Sequence, residues 1–432
     1  MTAVIGLLNK KGIALAADSA VTRSMTNDIH GYRVVKKWTK NGSKMLRLSN
    51  SAPISIMITG NGDYLNNPWE VIIRCYRRDR GDIAHSTVEN CMYDFFNYVG
   101  SATNLWHDKE ILMWISQLVN SLFNIVRKTL PCELIKPTSL SSQIYIEEYF
   151  NSFLKELNNF QLDVLNYDKC IQFENYTIEQ FKQYAQPSIE QCLKSLNGCS
   201  QNLLDAIKEH VEQTIFEVLT RYCDLLSSSS TLIFAGFGKD QDYPSIASSC
   251  VYGGIRNFVN YKALPKDVIC ISDERPFAFC PYAQTDVMRC LTEGLHRDLD
   301  HNIHIDLKRY YQSVFFVGKH IELSTNFLEI LSEIKCGDLM KKFTEQIHNL
   351  RHNNYMDWVK RLADYDLKAM ADLADSLIDL TGFQRILTFQ QEGVGGPVDL
   401  AVITKNEGFC WLRRKSWYHH KDVNGMYGSM GI

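Results

Sequence analysis

The sequence predicts an α/β fold in which antiparallel strand pairs are interrupted by long helical stretches. Three observations predict it. Short apolar runs joined by Asn and Gly turns occupy both ends of the chain. Between them, apolar residues recur at spacings of three and four. The signals follow one another as strands, helices, strands, helices, strands.

The elements are justified in order. Residues 3–8 read Ala-Val-Ile-Gly-Leu-Leu, a short apolar strand. Asn9, Lys10, Lys11 and Gly12 supply a turn and residues 13–17 a second strand, so the pair reads as a hairpin. Residues 44–48 and 53–59 suggest a second pair. Gly60-Asn61-Gly62 breaks its last strand, and 63–78 reads as a helix in which Asn67-Pro68 marks a start or a break. From about 85 to 227 the pattern is helical. Ile111, Ile115, Leu118, Leu122 and Ile125 form one stripe, and Leu204, Ile207, Val211, Ile215 and Val218 another. Stripes of this kind are what amphipathic helices bury in a bundle. Pro131, Pro137 and Pro187 punctuate this region, and residues 227–230, all Ser, read as a linker. Strands return at 231–236, 245–251 and 267–271. A second helical stretch covers 285–382 and ends with Met370, Leu373, Leu377 and Leu380 on one face. Residues 397–404, a turn at 405–408 and residues 409–414 make a closing hairpin. No internal repeat is visible.

Composition excludes several classes. The 432 residues allow two or three domains, or one domain with large insertions. Hydrophobic residues at 45% and charged residues at 22% exclude wholesale disorder. Lys plus Arg is 46 against 49 for Asp plus Glu, a net charge of −3. That balance leaves no electrostatic footprint for nucleic acid or an anionic membrane, and neither is expected as a partner. No run approaches the ~18 apolar residues of a membrane span. The apolar run at 3–8 lacks a positive region before it and ends at Asn9, so it is not read as a signal peptide, and a cytoplasmic location is expected. The 13 Cys form no C-x-x-C pair, which leaves buried reduced thiols as the expectation. His301 and His304, and the pair His419-His420, lack the convergent ligands of a metal site. Gly236-Phe237-Gly238 and Gly393-Val394-Gly395-Gly396 lack the Lys-Ser/Thr of a phosphate loop. No metal or organic cofactor is expected.

Chemistry concentrates at the start of the chain. Thr2 follows Met1. Initiator Met is generally removed before a small residue, which would leave Thr2 with a free α-amine. A threonine hydroxyl needs a base to act as a nucleophile. An α-amine, with a reference pKa of ~7.7–8.0, is such a base near neutral pH. Taken alone, Thr2 is also simply an ordinary second residue. Beyond it come the hairpin, then Ala16-Ala17-Asp18-Ser19-Ala20-Val21-Thr22, then Lys44 at the head of a strand, then a strand ending in Gly60.

This order resembles the opening of proteasome β subunits and their bacterial relatives, the N-terminal-nucleophile hydrolases of threonine type. The resemblance is strong over residues 2–80 and moderate over 231–295 and 365–414. It implies a four-layer αββα sandwich of two antiparallel sheets, the Ntn-hydrolase fold, with helical insertions. It implies Thr2 as nucleophile with its own amine as proton acceptor, and Lys44 as the cation near the hydroxyl. It implies Asp18 as the partner of that lysine and the Gly60 N–H as oxyanion donor. The backbones of Thr22 and Gly60 would flank an extended substrate. Bland readings stand beside these. Asp18 is a residue type that caps turns. Lys44 has Lys37 as its first rival, with Lys36 and Lys40, because the stretch after Thr22 is longer than usual in the family. Gly60 has Gly62 beside it.

Later segments depart from the family pattern. Where it places a supporting Ser after a strand, this chain reads Gln284-Thr285-Asp286, so Thr285 is the candidate substitute. The family's Asp-x-x-Ser-Gly-Gly corresponds to Gln391-Glu392-Gly393-Val394-Gly395-Gly396. Both Gly are kept, Gln391 and Val394 stand at the Asp and Ser positions, and Glu392 is a replacement carboxylate. The resulting organisation is a first core part at 1–84, a helical insertion at 85–227, a second core part at 228–296, a second insertion at 297–362, and a last helix, hairpin and tail at 363–432. The expected activity is hydrolysis of a peptide or other amide bond through an ester on Thr2. The alternative is a non-catalytic scaffold or regulatory binder, with the insertions as surfaces for self-assembly or a protein partner.

Overall fold

The computed structural model describes residues 3–26, 34–39, 43–102, 105–131, 143–196, 198–263, 267–283, 285–294, 302–303, 305–306, 308–309, 336–387 and 396–414. The chain divides into two compact units, one of residues 1–44, 242–244 and 270–432, the other of 45–241 and 245–269. Each is mixed α/β, and strands are numbered along the chain.

The first unit is built on a five-stranded sheet. It joins β1 (Val4–Asn9), β2 (Gly12–Ala17), β13 (Phe277–Tyr282), β14 (Asp399–Thr404) and β15 (Gly408–Arg413) in the order β13-β1-β2-β14-β15. All neighbours run antiparallel. The β1–β2 hairpin registers Val4 with Ala17 and Asn9 with Gly12, as its turn residues predict. Among the described residues, the helices α7 (Asp286–Glu293), α8 (Cys336–Leu362) and α9 (Leu367–Leu387) accompany the sheet. Met370, Ala371, Ala374, Leu377 and Ile378 of α9 share a buried cluster with Ala3, Ile5, Leu7, Ala14, Ala16, Leu400 and Val402. Strand side chains alternate between faces. The odd residues of β1 therefore face α9, and Val4, Ala17 and Asp399 face the opposite way. The α9 stripe read from the sequence is rotated in the fold. Leu380 is exposed, and the face packed on the sheet carries Ala371, Ala374 and Ile378 instead. A separate ribbon pairs β3 (Val21–Thr26) with β4 (Val34–Thr39), strands the sequence pattern does not signal.

The second unit has its own antiparallel sheet. It contains β5 (Met45–Arg47), β6 (Ile54–Gly60), β9 (Ser230–Gly236), β10 (Ser245–Ile255) and β11 (Phe258–Lys262) in the order β11-β10-β9-β6-β5, with β12 (Val268–Cys270) beside β10. Among the described residues, six α-helices pack here, α1 (Trp69–Arg80), α2 (Val88–Ser101), α3 (Asp108–Thr129), α4 (Gln143–Leu165), α5 (Ile178–Leu193) and α6 (Gln201–Thr220). One apolar cluster runs through β6, β9 and all six helices, so the helical region and the sheet share a core. Phe95 and Phe96 of α2 meet Phe234 of β9 edge-on at 5.5 and 6.0 Å between ring centres. Two expectations are corrected. Residues 63–68 are not helical; they form β7 (Asp63–Tyr64) and β8 (Asn67–Pro68) around left-handed Leu65 and Asn66, and α1 begins only after Pro68. Ser230 is not linker but the first residue of β9, paired with Gly60. Among the described residues no helix is long and apolar enough to cross a membrane.

Candidate functional site

The site grows from Asp18, the first residue past β2. The Asp18 N–H donates to the Ala3 carbonyl at 3.1 Å, and the Ala3 N–H donates back to Asp18 Oδ1 at 2.9 Å. This reciprocal pair closes the open end of the β1–β2 hairpin. Lys44 Nζ donates to the same Oδ1 at 2.6 Å. Asp18 is 0% exposed and Lys44 6%, so this is a buried ion pair joining positions 26 apart in sequence. Charge-assisted bonds of this length are stronger than neutral ones. One oxygen thus carries both bonds, which holds the ammonium within two hydrogen-bond lengths of the Ala3 nitrogen. That nitrogen is covalently bound to the carbonyl carbon of Thr2. The Ala20 N–H approaches Oδ2 at 3.4 Å. Ser19, also buried, donates from Oγ to the Pro397 carbonyl and ties this loop to the chain entering β14.

The remaining predicted residues are distributed as follows. Thr2, Gln391, Glu392, Val394, Gly395, Gln284, Lys40, His301, His304, His419 and His420 lie outside the described residues. Asp18 pairs with Lys44, while Lys37 and Lys36 stand in β4 opposite Arg23 and Ser24. Thr22 stands in β3 opposite Trp38. Thr285 is the N-cap residue of α7 and makes no capping bond. Gly60 ends β6 in the second unit with φ +78°, and a Cβ there would lie 2.4 Å from the Ser229 carbonyl oxygen. Glycine is required at this position by backbone geometry alone. Gly62 has open space around its Cα.

One buried carboxylate escaped the sequence reading. Asp399, at the head of β14, is 2% exposed and registered opposite Ala17. In sequence it is a lone acid entering an apolar run, which reads as an exposed strand end. Its register opposite Ala17 is visible only in the fold.

No other cluster among the described residues competes. No group of three or more His, Cys, Asp and Glu gathers to hold a metal. Burial pushes the Cys91 and Cys280 thiols up to about 12, so they are inert as nucleophiles at neutral pH. A cavity of about 620 Å³ between α3 and α4, lined by Val126, Thr129, Glu156, Phe160 and Asp163, contains none of the candidate site residues.

No protein-family model and no curated protein matches the sequence. Among solved structures, the Anbu (Gly-1) mutant from Hyphomicrobium sp. strain MC1 is similar at 9% identity and a TM-score of 0.26, over 96% of this chain and 86% of that one. A score of that size carries no inference about fold or activity.

Proposed function

We propose that this chain is a proteasome-like N-terminal threonine hydrolase, in a four-layer αββα arrangement with helical insertions, that cleaves peptide or other amide bonds. The observation that carries the reading is the buried Lys44–Asp18 pair, whose shared oxygen also holds the N–H of the residue after Thr2. The reading requires a free α-amine on Thr2, generated by cleavage of the Met1–Thr2 bond. The Thr2 hydroxyl adds to the substrate carbonyl carbon and its proton passes to the α-amine. The C–N bond then breaks, the departing amine takes that proton, and Thr2 remains as an ester. Water, activated by the same amine, hydrolyses the ester and restores the hydroxyl. The Lys44 charge favours the ionised nucleophile and is fixed by Asp18. The Gly60 N–H is the proposed oxyanion donor. The backbones of Thr22 and Gly60 are the proposed neighbours of an extended substrate.

The test is intact mass of the mature protein combined with an epoxyketone probe. The expected result is loss of Met1 and one probe adduct, mapped to Thr2 and absent from Thr2→Ala. An unlabelled wild-type protein with a free Thr2 amine would overturn the reading. A second reading, a non-catalytic scaffold, is favoured by Gln391 and Val394 at the family's Asp and Ser positions. It expects that unlabelled outcome.

A further inference from the structure

We propose that the cavity between α3 and α4 binds an elongated aliphatic polyamine, held by a carboxylate toward each end and by apolar side chains between them. The cavity lies wholly in the second unit, and the proposal stands apart from the hydrolase reading. Glu156, Phe160 and Asp163 line it from α4. Spacings of four and three place them on one face of that helix. At about 1.5 Å of rise per residue, Glu156 and Asp163 start about 10 Å apart along the axis, with the Phe160 ring between them. Val126 of α3 and Leu225 add apolar wall. Tyr167, in the turn after α4, follows Asp163, and its N–H donates to the Val164 carbonyl at 3.1 Å. The volume of about 620 Å³ is that of a small-molecule site, which runs from about 300 to 1,000 Å³.

Charge selects the ligand. Among the described residues neither Glu156 nor Asp163 has an ion-pair partner. Arg221 reaches this end of α4 but is engaged there. Its Nη1 donates to the Leu165 and Tyr167 carbonyls at 3.3 and 2.6 Å, and its Nε to Glu217 at 2.6 Å. Lys155 lines a separate depression with Glu147 and Glu148. Negative charge also gathers at Tyr167. Burial first, then Cys223, Asp224 and Asp163, raises its phenol above the ordinary range. An ammonium there would meet opposite charge and an aromatic face together. The two carboxylates stand too far apart to share one metal ion, whose oxygen ligands converge within about 2.6 Å. No metal-holding group of His, Cys, Asp and Glu forms among the described residues. An apolar middle between two anionic ends suits a methylene chain with an ammonium at either end, since such stems lie on apolar surface while their heads seek charge.

The experiment titrates spermidine into the full chain by calorimetry at about 0.15 M salt, where diffuse surface attraction is screened. One saturable site is expected. Putrescine, too short to span both carboxylates, and butylamine, with a single amine, should each bind at least tenfold more weakly. Glu156→Gln and Asp163→Asn should each weaken spermidine at least tenfold, and Phe160→Ala at least threefold. Glu148→Gln removes an exposed acid of α4 outside the cavity and should leave the affinity within about twofold. Absence of saturable binding overturns the proposal. So does an equal loss in Glu148→Gln, which means only diffuse attraction to an acidic chain. Equal affinities for spermidine and butylamine overturn it as well, since the second carboxylate then does nothing. Tighter binding of a peptide carrying two lysines three positions apart overturns the free polyamine and gives the cavity to a basic peptide. Circular dichroism checks each variant, and if Glu156→Gln does not fold, Asp163→Asn decides alone.

Discussion

Replacing Lys44 by Met removes the cation from a pair in which Asp18 is wholly buried. The Asp18 carboxylate would then lose its cation and keep the backbone N–H groups of Ala3 and Ala20, at 2.9 and 3.4 Å. Breaking one side of a buried ion pair leaves an uncompensated charge and costs about 3–5 kcal/mol. For a unit of about 200 residues, each kcal/mol lowers the melting temperature by roughly 2–4 °C, so Lys44→Met should lose about 6–20 °C. Asp18→Asn removes the carboxylate from the buried ammonium instead and should cost a similar amount. The double variant strands no charge, and an Asn carbonyl oxygen can still accept from the Ala3 N–H. It should lose only about 1–2 kcal/mol, so the two substitutions are coupled by several kcal/mol. Urea unfolding of the full chain, followed by tryptophan fluorescence and circular dichroism together, gives the four free energies. Losses that add to within about 0.5 kcal/mol would refute the buried-pair reasoning.

Two other outcomes are expected. Gly60→Ala should cost roughly 2 kcal/mol or more in denaturant unfolding, because φ is +78° and the new Cβ would press on the Ser229 carbonyl oxygen at 2.4 Å. Stability should also fall with alkali. Cys91 and Cys280 titrate near 12 in the folded chain because burial disfavours the thiolate, against ~8.5 when unfolded. From about pH 9 upward the unfolded state binds fewer protons, so the stabilisation present below pH 9 is lost progressively toward pH 12. Cys280→Ala should flatten that loss in a pH series of melting temperatures, and an unchanged slope would refute it.

The sequence pattern carried the hairpin at the chain start, β6, β9 and the helical region. In these segments the periodicity is strong and the breakers, such as Gly12 and Gly60, sit at the turns. It missed β3 and β4, whose residues Val21-Thr22-Arg23-Ser24-Met25-Thr26 and Val34-Val35-Lys36-Lys37-Trp38-Thr39 alternate weakly and pair only with each other. It set the first helix too early because left-handed Leu65 and Asn66 leave no periodic trace. The Lys44–Asp18 contact spans 26 positions, and Asp399 stands opposite Ala17 only through the β2–β14 register. Such long-range coincidences are properties of topology. Local propensity does not encode them, which is why four lysines competed until the fold brought one to Asp18.

Energetics give the pair its meaning. Both a scaffold and an enzyme need the hairpin end closed, and Asp18 closes it with one N–H given to Ala3 and one received. A neutral Asn could make the same two bonds. A scaffold has no use for the charge on either partner, since apolar residues of similar volume in place of a buried ion pair are often neutral or stabilising by about 1–4 kcal/mol. An N-terminal nucleophile does have a use for it, because the ammonium shares its oxygen with the nitrogen that follows Thr2. Stability alone therefore gives no reason for Lys44 in this position, whereas the proposed chemistry on Thr2 would. A Lys44→Met/Asp18→Asn protein that folds nearly as well as wild type but fails to label at Thr2 would separate the two demands on one carboxylate.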